Sequence, residues 1–329
     1  MADDATGGLR GGTLRGLLGV AALALVGACQ SFPSAPPQVT PRVRPAALAP
    51  ADPAPAPPAP SAASEELRGY YERVQSNLLA QGLLRRDGGG IDTPFNATDL
   101  ARNFERLAFF HEYERGTGLS QARETPDFMR RWSGPLRLQV EFGASVPPDQ
   151  QRSDSAEIDS YANRLAQVTG HPIQTVTRGG NFHILVMGED DREDAVRRIR
   201  QLVPNAADSA VSIIRTLPRP IHCLVFGFSA EQNDNVYRRA IAFVRAEHPG
   251  LMRQSCFHEE IAQGLGLAND SPRARPSIFN DDDEFALLTN HDELLLKMLY
   301  DPRLRPGMTL EQARPTIGII SRELMGSSS

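Results

Sequence analysis

The sequence predicts an α+β domain carried behind a long N-terminal leader and tether. Three observations lead there. Residues 136–142, LRLQVEF, alternate strictly, with Leu136, Leu138, Val140 and Phe142 on one side and Arg137, Gln139 and Glu141 on the other, as in a half-buried strand. Leu67, Tyr71, Val74 and Leu78, then Leu100, Phe104, Leu107 and Phe110, recur at helical spacing. FHILVM, residues 182–187, is a continuous apolar run of strand length.

Composition narrows the class. The chain has 329 residues, 23% of them charged, and a net charge of −5. That is ordinary globular composition with no basic excess to attract nucleic acid. After the leader no apolar run is long enough to span a bilayer. Arg10 and Arg15 precede LLGVAALALVGA, which has the length of a signal h-region. It ends in Val26-Gly27-Ala28-Cys29, which resembles the lipobox of bacterial lipoproteins. Residues 1–28 therefore read as a lipoprotein signal peptide and Cys29 as the lipidated N-terminus. The alternative is a plain secreted chain with a chance cysteine. Gln30 after the cysteine favours the outer membrane, facing the periplasm. Residues 29–63 form a Pro/Ala-rich tether with too little apolar surface to offset its ordering entropy. In polyproline II form it reaches up to ~100 Å from the membrane.

Cys223 and Cys256 are the remaining cysteines. In an exported protein such a pair reads as a disulfide, with two buried thiols as the alternative. The elements follow in order. Residues 64–130 read as an N-terminal helical subdomain, a hairpin of two helices interrupted by RRDGGGIDTP and capped at Asn96 or Thr98. Residues 131–312 form the main domain. It opens with the alternating strand, just after Trp132, and a helix from near Ser155 to Gly170 follows. Strands are expected at about 173–178, 182–187, 210–217 and 221–228. Helices are expected at DREDAVRRIRQLV, at about 231–247, at 254–265 and at NHDELLLKMLYDP. Residues 313–329 read as a C-terminal tail.

The stretch CFHEEIAQGLGLANDS, residues 256–271, carries the functional question. Counted from His258, the second histidine of an HExxH zinc helix would fall at Ala262. One residue on, Glu259, Glu260, Gln263, Gly266 and Asn269 take the spacing of the metzincin signature H-E-x-x-H-x-x-G-x-x-H. Positions i and i+4 share a helix face, and the glycine lets the chain turn so that a third ligand can arrive. Ser277-Ile278-Phe279-Asn280 resembles the Met-turn of that class, with Phe in place of Met. Leu288-Thr289-Asn290-His291-Asp292, then Leu296, Leu299 and Tyr300, resembles its C-terminal helix. The fold implied is a metzincin-like mixed twisted sheet with a motif helix and a C-terminal helix. EEIAQGLGLAND, PSIFNDDDEFALLTNHDELLLKMLYDPRLRPGMT and LLAQGLLRRDGGGIDTPF resemble a bacterial envelope family, the domain of unknown function 2927 (DUF2927).

The resemblance implies a general base at Glu260 and metal ligands at Glu259, Gln263 and Asn269. Those three positions hold a carboxylate and two amides, a poor zinc set. The expectation is a degenerate, non-catalytic binding or scaffold domain without a cofactor, whose cleft holds a peptide or an envelope protein. Two alternatives remain: a peptidase-like hydrolase using Glu260 at a non-standard metal site, and a site for an oxygen-preferring ion such as calcium. Without metal, the amides of Gln263 or Asn269 are expected to donate to Glu259, with Phe279 filling the space beneath. Neighbours on a helix point about 100° apart, so Glu259 and Glu260 are not expected to face each other. His258 is expected near the sheet or the cleft edge. His291 reads as a capping or hydrogen-bonding residue, and His111, His171, His183, His222 and His248 show no ligand spacing. NDDDE, residues 280–284, reads as a solvated acidic loop. Cys29→Ser is expected to move the chain from the membrane fraction to the soluble periplasm, as cell fractionation would show.

Overall fold

The computed structural model describes residues 59–110, 125–231, 234–280 and 282–326. The expected signal peptide, Cys29, most of the expected tether and His111 lie outside them. The fold is α+β. Five strands, β1 (Leu136–Phe142), β2 (Ile173–Thr175), β3 (Phe182–Met187), β4 (Cys223–Ser229) and β5 (Tyr237–Arg245), form one sheet in the order β2-β1-β3-β5-β4. Neighbours are parallel except β4, which runs antiparallel to β5 at the edge.

The strand period of two sorts the core into two layers. Phe182, Ile184, Val186, Ala240, Ala242 and Val244 face the main core, with α2 (Ala97–Phe109), α3 (Pro148–Thr169), α6 (Gly250–Gln263), α7 (Asn290–Leu299) and α8 (Leu310–Gly326) on that side. Leu185, Met187, Ile241 and Phe243 face the second cluster, under α4 (Arg192–Leu202) and α5 (Asp208–Thr216). A sheet buried on both faces has continuous apolar strands, which is why FHILVM does not alternate.

Four expectations fail, each for a physical reason. Residues 210–217 fall in helix α5, not a strand: Val211 and Ile214 are buried one helical turn apart beneath the sheet. Residues 237–245 form β5, not a helix, because AIAFV is a central strand covered on both sides. The N-terminal hairpin does not form. The face of α2 joins the main core beside α7 and α8, whereas α1 (Ala62–Ala80) packs through Leu67 and Tyr71 into a separate small cluster with Met252 and Ala286. Residues 313–329 are no loose tail, since α8 runs to Gly326 and buries Ala313, Ile317 and Ile320 despite Pro315.

Cys223 and Cys256 are joined, with Cα atoms 5.8 Å apart. Cys256 lies inside α6, so the bond fixes the motif helix to the start of the edge strand. Closing a 33-residue separation contributes about 3–4 kcal/mol in the chain-entropy account.

Where β5 ends, His248 is almost wholly buried and donates from Nε2 to the His222 carbonyl at 2.9 Å. Burial holds its pKa well below the usual histidine value, with His222, Arg245 and Arg253 adding to the effect. Burial also lowers His222 and His258. A histidine kept neutral by the fold takes up its proton only on unfolding. Its stabilisation is complete above the unfolded pKa of about 6.5 and is lost as pH falls below it. The protein is therefore expected to lose stability from pH 7 to pH 5, by up to ~1.4 kcal/mol per pH unit for His248 alone. In urea melts across that range His248→Gln should give a shallower dependence.

Candidate functional site

Helix α6 enters after Pro249 and ends at Gln263. The turn beyond it is fixed by two aromatic donors. Trp132 Nε1 donates to the Gly264 carbonyl at 2.8 Å and Tyr300 Oη to the Leu265 carbonyl at 3.2 Å. Gly266 has φ 136°, and a Cβ there would sit 2.3 Å from the Arg130 carbonyl oxygen. Only glycine fits this position, so the residue does take the turning role that the spacing assigns to it.

The residues of the ligand frame do not converge. Gln263 Nε2 donates to Asp270 Oδ1 at 2.9 Å, not to Glu259. Asn269 Nδ2 donates to the carbonyls of Arg106, at 3.2 Å, and Asp270, at 2.9 Å. Glu259 lies elsewhere, in a shallow pocket with Cys223, Cys256, Leu84, Met252 and Asp283. The expected amide-to-Glu259 network is thus replaced by one centred on Asp270, a residue that sequence reasoning missed although it directly follows Asn269. The reason is reach: Asp270 offers an acceptor from the returning loop, whereas Glu259 has turned toward the disulfide.

Glu259 and Glu260 approach each other more closely than their helical angle implies. One carboxylate oxygen from each and Cys223 Sγ lie within 4.8 Å of one another. Two flexible methylenes per side chain are enough to close a 100° separation. Among the described residues this is the only grouping of potential ligands. It does not fit zinc, because the sulfur belongs to a disulfide and is no thiolate, and no imidazole joins it.

His258 is held on both ring nitrogens. Leu288 N–H donates to Nδ1 at 2.9 Å, so Nε2 carries the proton and faces Glu157 Oε1 at 3.3 Å. The ring stacks on Tyr161 at 3.9 Å. The imidazole thereby ties α6 to α3 and to the strand entering α7. In the acidic loop Glu284 is paired with Arg275 at 2.6 Å and with Arg85 at 3.0 Å, while Asp281 lies outside the described residues.

The densest polar construction is the turn at Ser277–Asn280. Asp292, fully buried, accepts from Ser277 Oγ at 2.6 Å, from the Ile278 and Thr289 amides at 3.0 Å, and from Thr289 Oγ1 at 2.8 Å. Thr289 and Asp292 also form the capping box of α7. Phe279 is buried in the main core, its carbonyl accepting from Ser271 N–H at 2.9 Å, and Asn280 Nδ2 donates to the Ala274 carbonyl at 3.1 Å. His291 Nε2 lies 3.2 Å from the Asn103 amide.

The family model described as "Protein of unknown function (DUF2927)" matches residues 97–318. The chain belongs to the DUF2927 family. No curated protein and no solved structure matches it. The matched DUF2927 region begins at α2 and takes in the whole sheet, α6, the Asp292 turn and part of α8, but leaves out α1 and the loop behind it.

Asp292→Ala would leave the Ile278 and Thr289 amides and the Ser277 hydroxyl without their acceptor in a dry site. The expected loss is at least about 3 kcal/mol in urea denaturation. Asp292→Asn should be nearly as costly, because its amide NH₂ would face donors on one side.

Proposed function

We propose that this DUF2927 chain is an envelope lipoprotein, anchored through Cys29, whose folded domain is a non-catalytic, metalloprotease-like binding module. One observation carries the reading: the three positions of the ligand frame are committed to different neighbours. Gln263 serves Asp270, Asn269 serves two backbone carbonyls, and Glu259 faces the disulfide. The metzincin-like part of the proposal draws support from the glycine turn after α6 and from the tight turn at residues 277–280. The C-terminal helix, whose Asp292 and Tyr300 fasten those two turns, adds to it.

The ligand proposed is an extended polypeptide added to the free side of β4. Among the described residues that strand ends the sheet and pairs with β5 along one side only. An edge strand offers a row of backbone donors and acceptors to such a partner. The disulfide holds β4 in place beside α6, so the edge is presented in one position.

The test is metal analysis together with peptidase assay, on protein purified without a histidine tag. The proposal expects less than about one zinc per ten chains and no cleavage of an unfolded protein substrate. Stoichiometric metal that disappears in Glu259→Ala, with hydrolysis that disappears in Glu260→Gln, would instead establish a hydrolase.

A further inference from the structure

The segment between α1 and α2 is bonded, backbone to backbone, to the segment that leads into α7. Leu84 N–H donates to the Asp283 carbonyl and Arg85 N–H to the Glu284 carbonyl, both at 2.8 Å. In return Ala286 N–H donates to Arg85 and Asn290 N–H to Gly88, both at 2.9 Å. Arg85 and Phe285 are parallel bridge partners. Four backbone hydrogen bonds around one isolated parallel bridge resemble the pairing of a peptide with a receptor backbone, except that here the peptide is part of the same chain.

Side chains at the crossing are recognised individually. Leu84 is buried and closes the pocket that contains Glu259. The Arg85 guanidinium lies 4.6 Å from the centre of the Phe285 ring and 3.0 Å from Glu284 Oε1, and it also pairs within its own segment with Asp92 at 2.6 Å and Asp87 at 2.9 Å. The domain body thus supplies an apolar seat followed by an acidic and aromatic one, matched to a Leu-Arg pair.

Two features set the crossing apart from the main core. The apolar contacts of α1 and Leu84 form a small cluster of their own. The seated pair is also strained: Leu84 and Asp283, directly bonded, both hold φ 56°, a left-handed conformation that non-glycine residues seldom adopt. Gly89, at φ 87°, is pressed so closely on Pro276 that a Cβ would come within 2.6 Å of the ring.

We propose that residues 283–289 and the first residue of α7 form a backbone-pairing recognition site for peptides bearing an apolar residue followed by arginine, and that residues 84–88 of the same chain occupy it as a displaceable strap. Release of the strap uncovers the pocket wall that carries Glu259. The site is distinct from the free side of β4 and stands whether or not that side binds a partner.

Two measurements on the full folded chain test this. In native hydrogen exchange, the Ala286 and Asn290 amides, bonded only to the strap, should exchange at least ~100-fold faster than Leu185 in the central strand, through an opening smaller than global unfolding. Exchange at the global rate would overturn the proposal. The second measurement is fluorescence anisotropy with a labelled peptide of the sequence of residues 80–93. Gly89→Ala, which crowds the strap off Pro276, should bind it at least ~10-fold more tightly than wild type, because the competing occupant is gone. Arg85→Glu serves as a second strap-release variant should Gly89→Ala melt early. Adding Glu284→Arg to either should abolish binding. Strap-release variants that keep the wild-type circular dichroism but do not bind, or binding that is indifferent to Glu284→Arg, would sink the proposal.

Discussion

The Asp292 carboxylate, sealed from water at the start of α7, is the constraint around which the functional half of the molecule is arranged. A buried carboxylate is tolerated only where its lone pairs are filled. Here they are filled by a turn and a helix start that are ten or more residues apart in sequence. Satisfying the charge therefore fixes where the turn at 277–279 stands relative to α7. Phe279 follows from that turn into the core, and its carbonyl then meets the Ser271 amide on the loop leaving α6. The geometry of Asn269 and Asp270 descends from this chain of contacts, as does that of the segment 283–289, which is held between the same turn and the same helix.

His258 adds a second fastening to this arrangement. With the amide of Leu288 on one nitrogen and Glu157 across from the other, it joins α6, α3 and the segment entering α7 through one neutral ring. The disulfide acts on the far side of α6, so the helix is held from the sheet edge as well as from the loops beneath. Such a helix has little freedom to reorganise its polar side chains around a metal. Gln263 and Asn269 are already spent on local hydrogen bonds.

Much of this was legible in the sequence wherever a local pattern had a single physical meaning. The alternation at Leu136–Phe142, the run at Phe182–Met187, the cysteine pair and the Gly266 turn all gave their structural roles. The two misassigned elements of the sheet region share one cause. β5 and α5 are each covered in ways that erase their local period, so residues 237–245 resemble a helix and residues 210–217 a strand until the layers on both faces of the sheet are known. The spacing predicts Glu259, Gln263 and Asn269 together, but which acceptor Gln263 takes depends on Asp270 and on the path of a loop that no periodicity encodes. The pairing of Leu84 and Arg85 with residues almost two hundred positions away was beyond any local pattern.

Trp132 is the chain's single tryptophan. Its indole N–H is bonded to the carbonyl at the end of α6, and its ring lies nearly parallel to that of Phe182, 6.4 Å away. The protein thus carries one native fluorophore, placed at the hinge between the motif helix and the loop that follows. Its emission does not average over the fold but reports on that one turn. Whatever loosens the turn, from the sheet side or the loop side, lets water reach the indole and moves the emission to longer wavelength, without any label being introduced.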